Sequence, residues 1–191
     1  RMSTVTLPPA APPPSPPAGR WATVADLIRD LGDVPIERVR MTPQPGTVTL
    51  EQLADHNERH RPPCEWVENT LVEKPMGLYE SWLGSIILTL ISNHAFGRDL
   101  GMIVGEAGVM RILPGVGRAP DVAFLAWSSL PGGRPPARED RVPSVVPDLA
   151  VEVLSASNSR REMIRKRDEY FRAGVKLVWE IDPETRTATV Y

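Results

Sequence analysis

Two acids stand where an acid is expensive. Glu152 interrupts the apolar run Leu149-Ala150-Val151-Glu152-Val153-Leu154, and Asp121 heads the apolar run Val122-Ala123-Phe124-Leu125-Ala126-Trp127. An ionised carboxylate buried in a strand costs several kcal/mol unless a cation or strong donors face it. An arginine partner or an exposed strand face would answer that need for Glu152; a metal ion is the other answer. If the two runs are neighbouring strands, about 4.8 Å apart, their carboxylates converge on one cation. Asp148 competes with Asp121, but it shares a strand with Glu152. Four residues of one strand span roughly 13 Å, too far for two ligands that each sit about 2.1–2.5 Å from one ion. Two carboxylates completed by a strand carbonyl or water suit Mg2+ or Mn2+.

A third group comes from the segment after Glu152. Ser155 to Ser159 is turn chemistry, and Ser159 with Glu162 fits a capping box, so the spacing predicts a helix from Arg160. Met163, Tyr170 and Gly174 fall on one face of it, with Lys166 on one edge of that face and Arg167 on the other. A helix that follows a strand packs back on its sheet, which brings Lys166 near the strand carrying Glu152. Alone, a lysine there more commonly lays its stem over apolar surface with its head in water. Beside two acids, an ammonium suits charge developing on a phosphate or an attacking water.

The elements that would position these groups follow from patterning. Residues 1–19 are rich in proline and alanine and read as a disordered, polyproline-like arm; residues 20–191 read as one domain, with its core over about 45–191. Helical spacing covers Trp21 to Leu31 and Thr49 to His60. His56 and His60, four apart, have a zinc-compatible spacing without an evident third ligand, and an exposed polar face explains them better. Glu65-Trp66-Val67 and Leu71-Val72-Glu73 read as a hairpin turning at Glu68-Asn69. Tyr79 to Phe96 is helical, with Trp82, Leu83, Ile86, Ile87, Leu90, Ile91 and His94 as an apolar stripe for core packing. Strands are expected at Gly101–Glu106, Gly108–Leu113, Val122–Trp127, Lys176–Ile181 and Thr187–Tyr191. Pro114 to Gly117 reads as a turn, and Ser128 to Val142 as an exposed loop.

Composition narrows the classes. The chain has 191 residues, 41% of them hydrophobic, with a formal net charge of −2, enough for one packed core and unlike a protein that coats DNA constitutively. The single cysteine, Cys64, rules out an intrachain disulfide and a cysteine-built zinc site, and fits the cytoplasm. No apolar run reaches membrane-spanning length.

In combination, Arg118-Ala119-Pro120-Asp121-Val122-Ala123-Phe124, Pro147-Asp148 through Glu152 to Ser155, Lys166 through Tyr170 to Gly174-Val175, and Trp179-Glu180-Ile181-Asp182-Pro183 resemble the Uma-type restriction endonuclease family of the PD-(D/E)XK superfamily. The hairpin from Glu65 to Gly77 with Glu80-Ser81 resembles its N-terminal half. The resemblance implies an α/β (α+β) restriction-endonuclease-like fold, a curved mixed sheet flanked by helices, and Mg2+- or Mn2+-dependent hydrolysis of DNA phosphodiesters. By that resemblance Asp121 and Glu152 hold the metal, the Val153 carbonyl is a third ligand, Lys166 is the catalytic cation, and Glu80 is an accessory acid. Leu154 stands at the lysine position of the superfamily's E-x-K pattern, which moves the basic group to the helix. Arg118, Arg160, Arg161, Arg165 and Arg167 are the basic groups available to phosphate, although a solvated face explains most of them equally well. The resemblance also implies a homodimer. The competing reading is a nuclease fold with a vestigial site, acting in binding or regulation, which the missing E-x-K lysine favours; a structural dimerisation unit built on the Tyr79–Phe96 helix ranks third.

Overall fold

The computed structural model describes residues 20–75 and 77–191, so the proline-rich arm expected at 1–19 lies outside the described residues. Four helices are described: α1 (Val24–Asp30), α2 (Leu50–Arg59), α3 (Leu78–Phe96) and α4 (Arg160–Ala173). The strands are β1 (Cys64–Val67), β2 (Thr70–Glu73), β3 (Gly101–Gly105), β4 (Met110–Leu113), β5 (Val116–Arg118), β6 (Val122–Ala126), β7 (Leu149–Val153), β8 (Leu177–Asp182) and β9 (Thr187–Val190).

Local chemistry sets the ends of these elements. Thr23 with Asp26 and Thr49 with Gln52 close complete capping boxes on α1 and α2. Ser159 caps α4 through the Glu162 amide, but Glu162 turns its carboxylate to Arg38 and Asn158 instead of back to the cap. Gly174 ends α4 at φ 102°, a left-handed C-cap that favours glycine. Glu68 and Asn69 both take positive φ in the β1–β2 hairpin, the conformation a two-residue turn demands.

The strands form two sheets where one was expected. A four-stranded antiparallel sheet runs β2-β1-β5-β4, and a five-stranded mixed sheet runs β3-β6-β7-β8-β9. In the second sheet β7 and β8 are parallel and are joined through α4, while the other neighbours are antiparallel. The first sheet exists because Val116-Gly117-Arg118, expected as turn and link, is strand β5, paired to both β1 and β4. Three residues between two turn signals were too short for alternation to register.

One face of the mixed sheet contributes Ala123, Leu125, Ala150 and Val178 to a core that includes Tyr170 of α4 and Met110, Ile112 and Val116 of the other sheet. The opposite face contributes Val122, Leu149 and Val151, packed against Ile87, Leu88 and Ile91 of α3. Alternation along the strands therefore puts Asp121 and Glu152 on the α4 face. The apolar stripe expected on α3 is split by this packing: Ile87 and Ile91 face the sheet, while Trp82, Ile86 and Leu90 are exposed at 54%, 38% and 64%. A helix apolar on all sides cannot bury every face against one sheet.

Ahead of β1, Leu27 of α1 and the C-cap residue Leu31 join Val67 and Val72 in one buried cluster. That N-terminal segment also grips the start of α4: Arg38 makes a two-pronged ion pair with Glu162, and Ser159 donates to the Gly32 carbonyl.

Candidate active site

The antiparallel register pairs Val122 with Val151, and one step further sets Asp121 opposite Glu152. Cross-strand partners on one face carry Cβ atoms about 4.5–5.5 Å apart. The two acids, 31 positions apart in sequence, are thus neighbours on the α4 face. Asp148 sits at the other end of β7, held by Lys176, Ser129 and the Ala126 amide, a local structural role.

Each oxygen of the pair has a partner. Asp121 Oδ2 accepts from the Val153 amide at 2.7 Å, and Oδ1 lies 3.0 Å from Lys74 Nζ. Glu152 Oε2 lies 2.9 Å from Lys166 Nζ, and Oε1 accepts from the Tyr170 hydroxyl at 2.5 Å. The helix that spacing predicted thus does carry Lys166 inward, to 3% exposure. Lys166 is also 3.2 Å from Glu65 Oε1 on β1. Glu65 in turn accepts from Arg118 at 2.7 Å and from the Ala119 amide at 3.1 Å, and Arg118 reaches Glu169 of α4.

Burial and charge sort these groups. Burial alone would lift Glu65, but the charges of Lys166, Arg118 and Lys74 and the Ala119 amide outweigh it and hold Glu65 well below the usual carboxylate range. Glu152 shares one ammonium with Glu65 and otherwise has a neutral phenol. Burial, reinforced by the charges of Asp121 and Glu65, pushes its pKa up against the pull of Lys166. Burial tends to lower Lys166, yet Glu152 and Glu65 overcome it and raise its pKa, so it is an ammonium at neutral pH. Burial, and then the charge of Glu152, lifts the Tyr170 phenol well above its ordinary value.

The other expected residues fall differently. Arg118, expected as an accessory cation for phosphate, is only 2% exposed and spent on Glu65 and Glu169. It organises the site from behind. Arg161 and Arg165 are likewise turned to Asp33 and to Glu68 and Glu169. Glu80 lies in the first turn of α3, where its carboxylate folds back over Gly77 and suits the helix dipole. His56 and His60 stack on each other, centroids 4.5 Å apart, without a third ligand.

Sequence reasoning passed over Lys74, Glu65 and Glu169. Glu65 offered the signal that singled out Glu152, an acid within an apolar strand, for all four residues of β1 are buried. Lys74, beside Pro75 at the end of the hairpin, offered none.

By charge and placement Asp121 and Glu152 are the two carboxylates that could hold one divalent cation. Glu180, the register partner of Glu152 on β8, is held 3.0 Å from Arg167. Among the described residues no group of three or more His, Cys, Asp or Glu side chains is arranged to hold a metal. Beyond the C-terminal end of β7 a groove of about 890 Å³ opens between α3 and α4, lined by Tyr79, Leu154, Ser155, Arg160, Arg167 and Glu180 among others. The two acids and Lys166 do not line it; Leu154 and Ser155, which follow β7 directly, connect the two.

Residues 48–191 match the family model described as "Putative restriction endonuclease", Uma2. The chain belongs to the Uma2 family. A crystal structure described as a "putative nuclease belonging to DUF820" from Anabaena variabilis shares the fold with a TM-score of 0.64 at 21% identity, over 75% of this chain and 79% of that one. No curated protein matches the chain. The Uma2 match spans every site residue from Glu65 to Tyr170 and leaves α1 outside.

Proposed function

We propose that the chain is an endonuclease that hydrolyses phosphodiester bonds in DNA, with one Mg2+ or Mn2+ held by Asp121 and Glu152 and completed by the Val153 carbonyl. The observation that carries this reading is the cross-strand pairing of Asp121 with Glu152 beside the buried Lys166 ammonium. Family membership supports the reaction class.

When bound, the ion supplies Lewis acidity at the phosphate and an activated water. The residues do the rest. Asp121, fixed by the Val153 amide, presents a carboxylate in one orientation. Glu152 is held from both sides by Lys166 and Tyr170. Lys166 stays charged, so it stabilises negative charge on the phosphate and does not act as a general base. Arg160, on the groove, is the basic group available to meet the backbone of a bound strand, whereas Arg167 is engaged by Glu180 and lies over the Tyr191 ring.

The test is plasmid cleavage with Mn2+, wild type against Glu152→Ala. Loss of all cutting in the variant supports the proposal, and a pure wild-type protein that cuts no DNA under any divalent ion overturns it.

The working unit in this proposal is a homodimer in the cytoplasm. Its support is the outer face of α3, where Trp82, Ile86 and Leu90 are exposed and no charged side chain occurs from Ser81 to Asn93. The Ser85 and Thr89 hydroxyls bond back to the Ser81 and Ser85 carbonyls, so covering this face strands neither hydroxyl. No described helix is long and apolar enough to cross a membrane, and the buried free thiol of Cys64 fits a reducing compartment.

A further inference from the structure

Helix α3 carries a glycine where packing does not call for one. Gly84 is buried within the helix, and a glycine in a helix interior is less favourable than alanine. Close approach accounts for several strand glycines. A Cβ built on Gly101, Gly105 or Gly117 would come within 2.1, 3.2 or 3.3 Å of Leu125, Leu88 or Trp66. A Cβ on Gly84 would meet one atom beyond its own helix within 4 Å, the Asp121 Cβ at 3.9 Å. Alanine would fit there. What the glycine leaves is therefore free space, and that space lies over Asp121.

The space is on the open side of the site. The Asp121 side chain is 17% exposed, against 6% for Glu152 and 4% for Lys166. Ile87, Leu88 and Ile91 follow Gly84 at three, four and seven residues on the same helix face, and they pack against Val122, Leu149 and Val151. One turn before Gly84, Glu80 lines the groove of about 890 Å³. Along this face α3 thus runs from the core, past Gly84 above Asp121, to the groove wall. The groove itself stops short of the two acids, and the missing side chain at Gly84 is the step between them.

We infer that Gly84 is a specificity-determining residue: by omitting a side chain it leaves the passage through which a DNA strand in the groove brings its phosphodiester to Asp121 and Glu152. This rests on the endonuclease reading proposed above. Both Asp121 oxygens are held elsewhere, by the Val153 amide and by Lys74. A side chain at position 84 therefore obstructs the polymer and leaves the acids that would hold the ion in place.

The test compares wild type with Gly84→Ala and Gly84→Leu as full chains. Three quantities are read: the melting temperature without metal, Mn2+ affinity by calorimetry, and kcat/KM for cleavage of labelled DNA at saturating Mn2+. Expected are a melting temperature of Gly84→Ala at or above wild type, and Mn2+ affinity within about twofold of wild type in both variants. Cleavage should fall at least threefold in Gly84→Ala and at least thirtyfold in Gly84→Leu. A loss below threefold in Gly84→Leu overturns the inference. So does a loss of Mn2+ affinity that matches the loss of cleavage, since Gly84 would then act on the ion and not on the strand. Both results leave the metal site standing. A wild-type protein that binds no Mn2+, or cuts no DNA with it, overturns the proposed function and this inference together. If Gly84→Leu does not fold, Gly84→Ala decides: a threefold loss at unchanged Mn2+ affinity supports, and unchanged cleavage overturns.

Discussion

Lys166 Nζ lies between two carboxylates, 2.9 Å from Glu152 Oε2 and 3.2 Å from Glu65 Oε1, with only 4% of its side chain exposed. This contact ties α4 to β7 and to the hairpin strand β1, and so to both sheets. Replacing Lys166 by Met keeps the stem and removes the charge. Cleavage should fall on the order of 10²–10³-fold, the usual cost of losing one electrostatic contact to a reacting phosphate. Single-turnover cleavage of labelled DNA at saturating Mn2+ measures it; a loss below threefold would show that Lys166 serves only the fold.

The phenol of Tyr170 should matter to stability more than to chemistry. It is completely buried and donates to Glu152. Tyr170→Phe removes the hydroxyl while the ring still fills the core. A hydrogen bond to a charged group contributes about 1.5–3 kcal/mol, so urea unfolding should show a loss in that range with the m-value unchanged.

Much of this arrangement was legible in the chain because the decisive signals were local. An acid inside an apolar strand, a cap at Ser159 and a helical period fixed β7, α4 and the inward turn of Lys166. Asp121 was legible for the same reason. Lys74 was not, because its partners at Ala119 and Asp121 lie 45 and 47 positions away and no periodicity encodes such a contact. The outward face of α3 was misread for a related reason: its apolar residues mark where burial is possible, and only the assembled sheet shows which side is covered.

The ion pair between Arg38 and Glu162 should give stability an acid-sensitive component. Burial alone would raise Glu162, but its bonds to Arg38 and the charge of Lys166 outweigh that and depress its pKa. A carboxyl depressed in the folded state stabilises fully above its unfolded pKa of about 4.3, and that stabilisation is lost as pH falls through the folded value. Arg38→Met should therefore cost about 3–5 kcal/mol at neutral pH and progressively less towards pH 3. Equal destabilisation at pH 7 and pH 3 would contradict this assignment.

Cys64 should be chemically silent in the native protein. It is fully buried, and burial, with the charge of Glu73, pushes its thiol up to about 12. A thiol-specific reagent at pH 8 should label it only after denaturation, and native labelling within minutes would show that β1 opens readily.

The face of α3 should decide assembly. Trp82→Glu places a charge within the uncharged stripe, on its exposed face. Light scattering should then report a dimer for wild type and a monomer for the variant, with an unchanged melting temperature at equal chain concentration once dissociation is allowed for. Identical masses would remove α3 as the contact.

The most direct test of the central claim is anomalous diffraction from a crystal soaked in MnCl2. The account predicts one Mn2+ peak per chain, with an oxygen of Asp121 and an oxygen of Glu152 each about 2.1–2.5 Å from it and Lys74 still beside Asp121. A map without a peak at this pair, or with a peak that touches only one of the two acids, would contradict it.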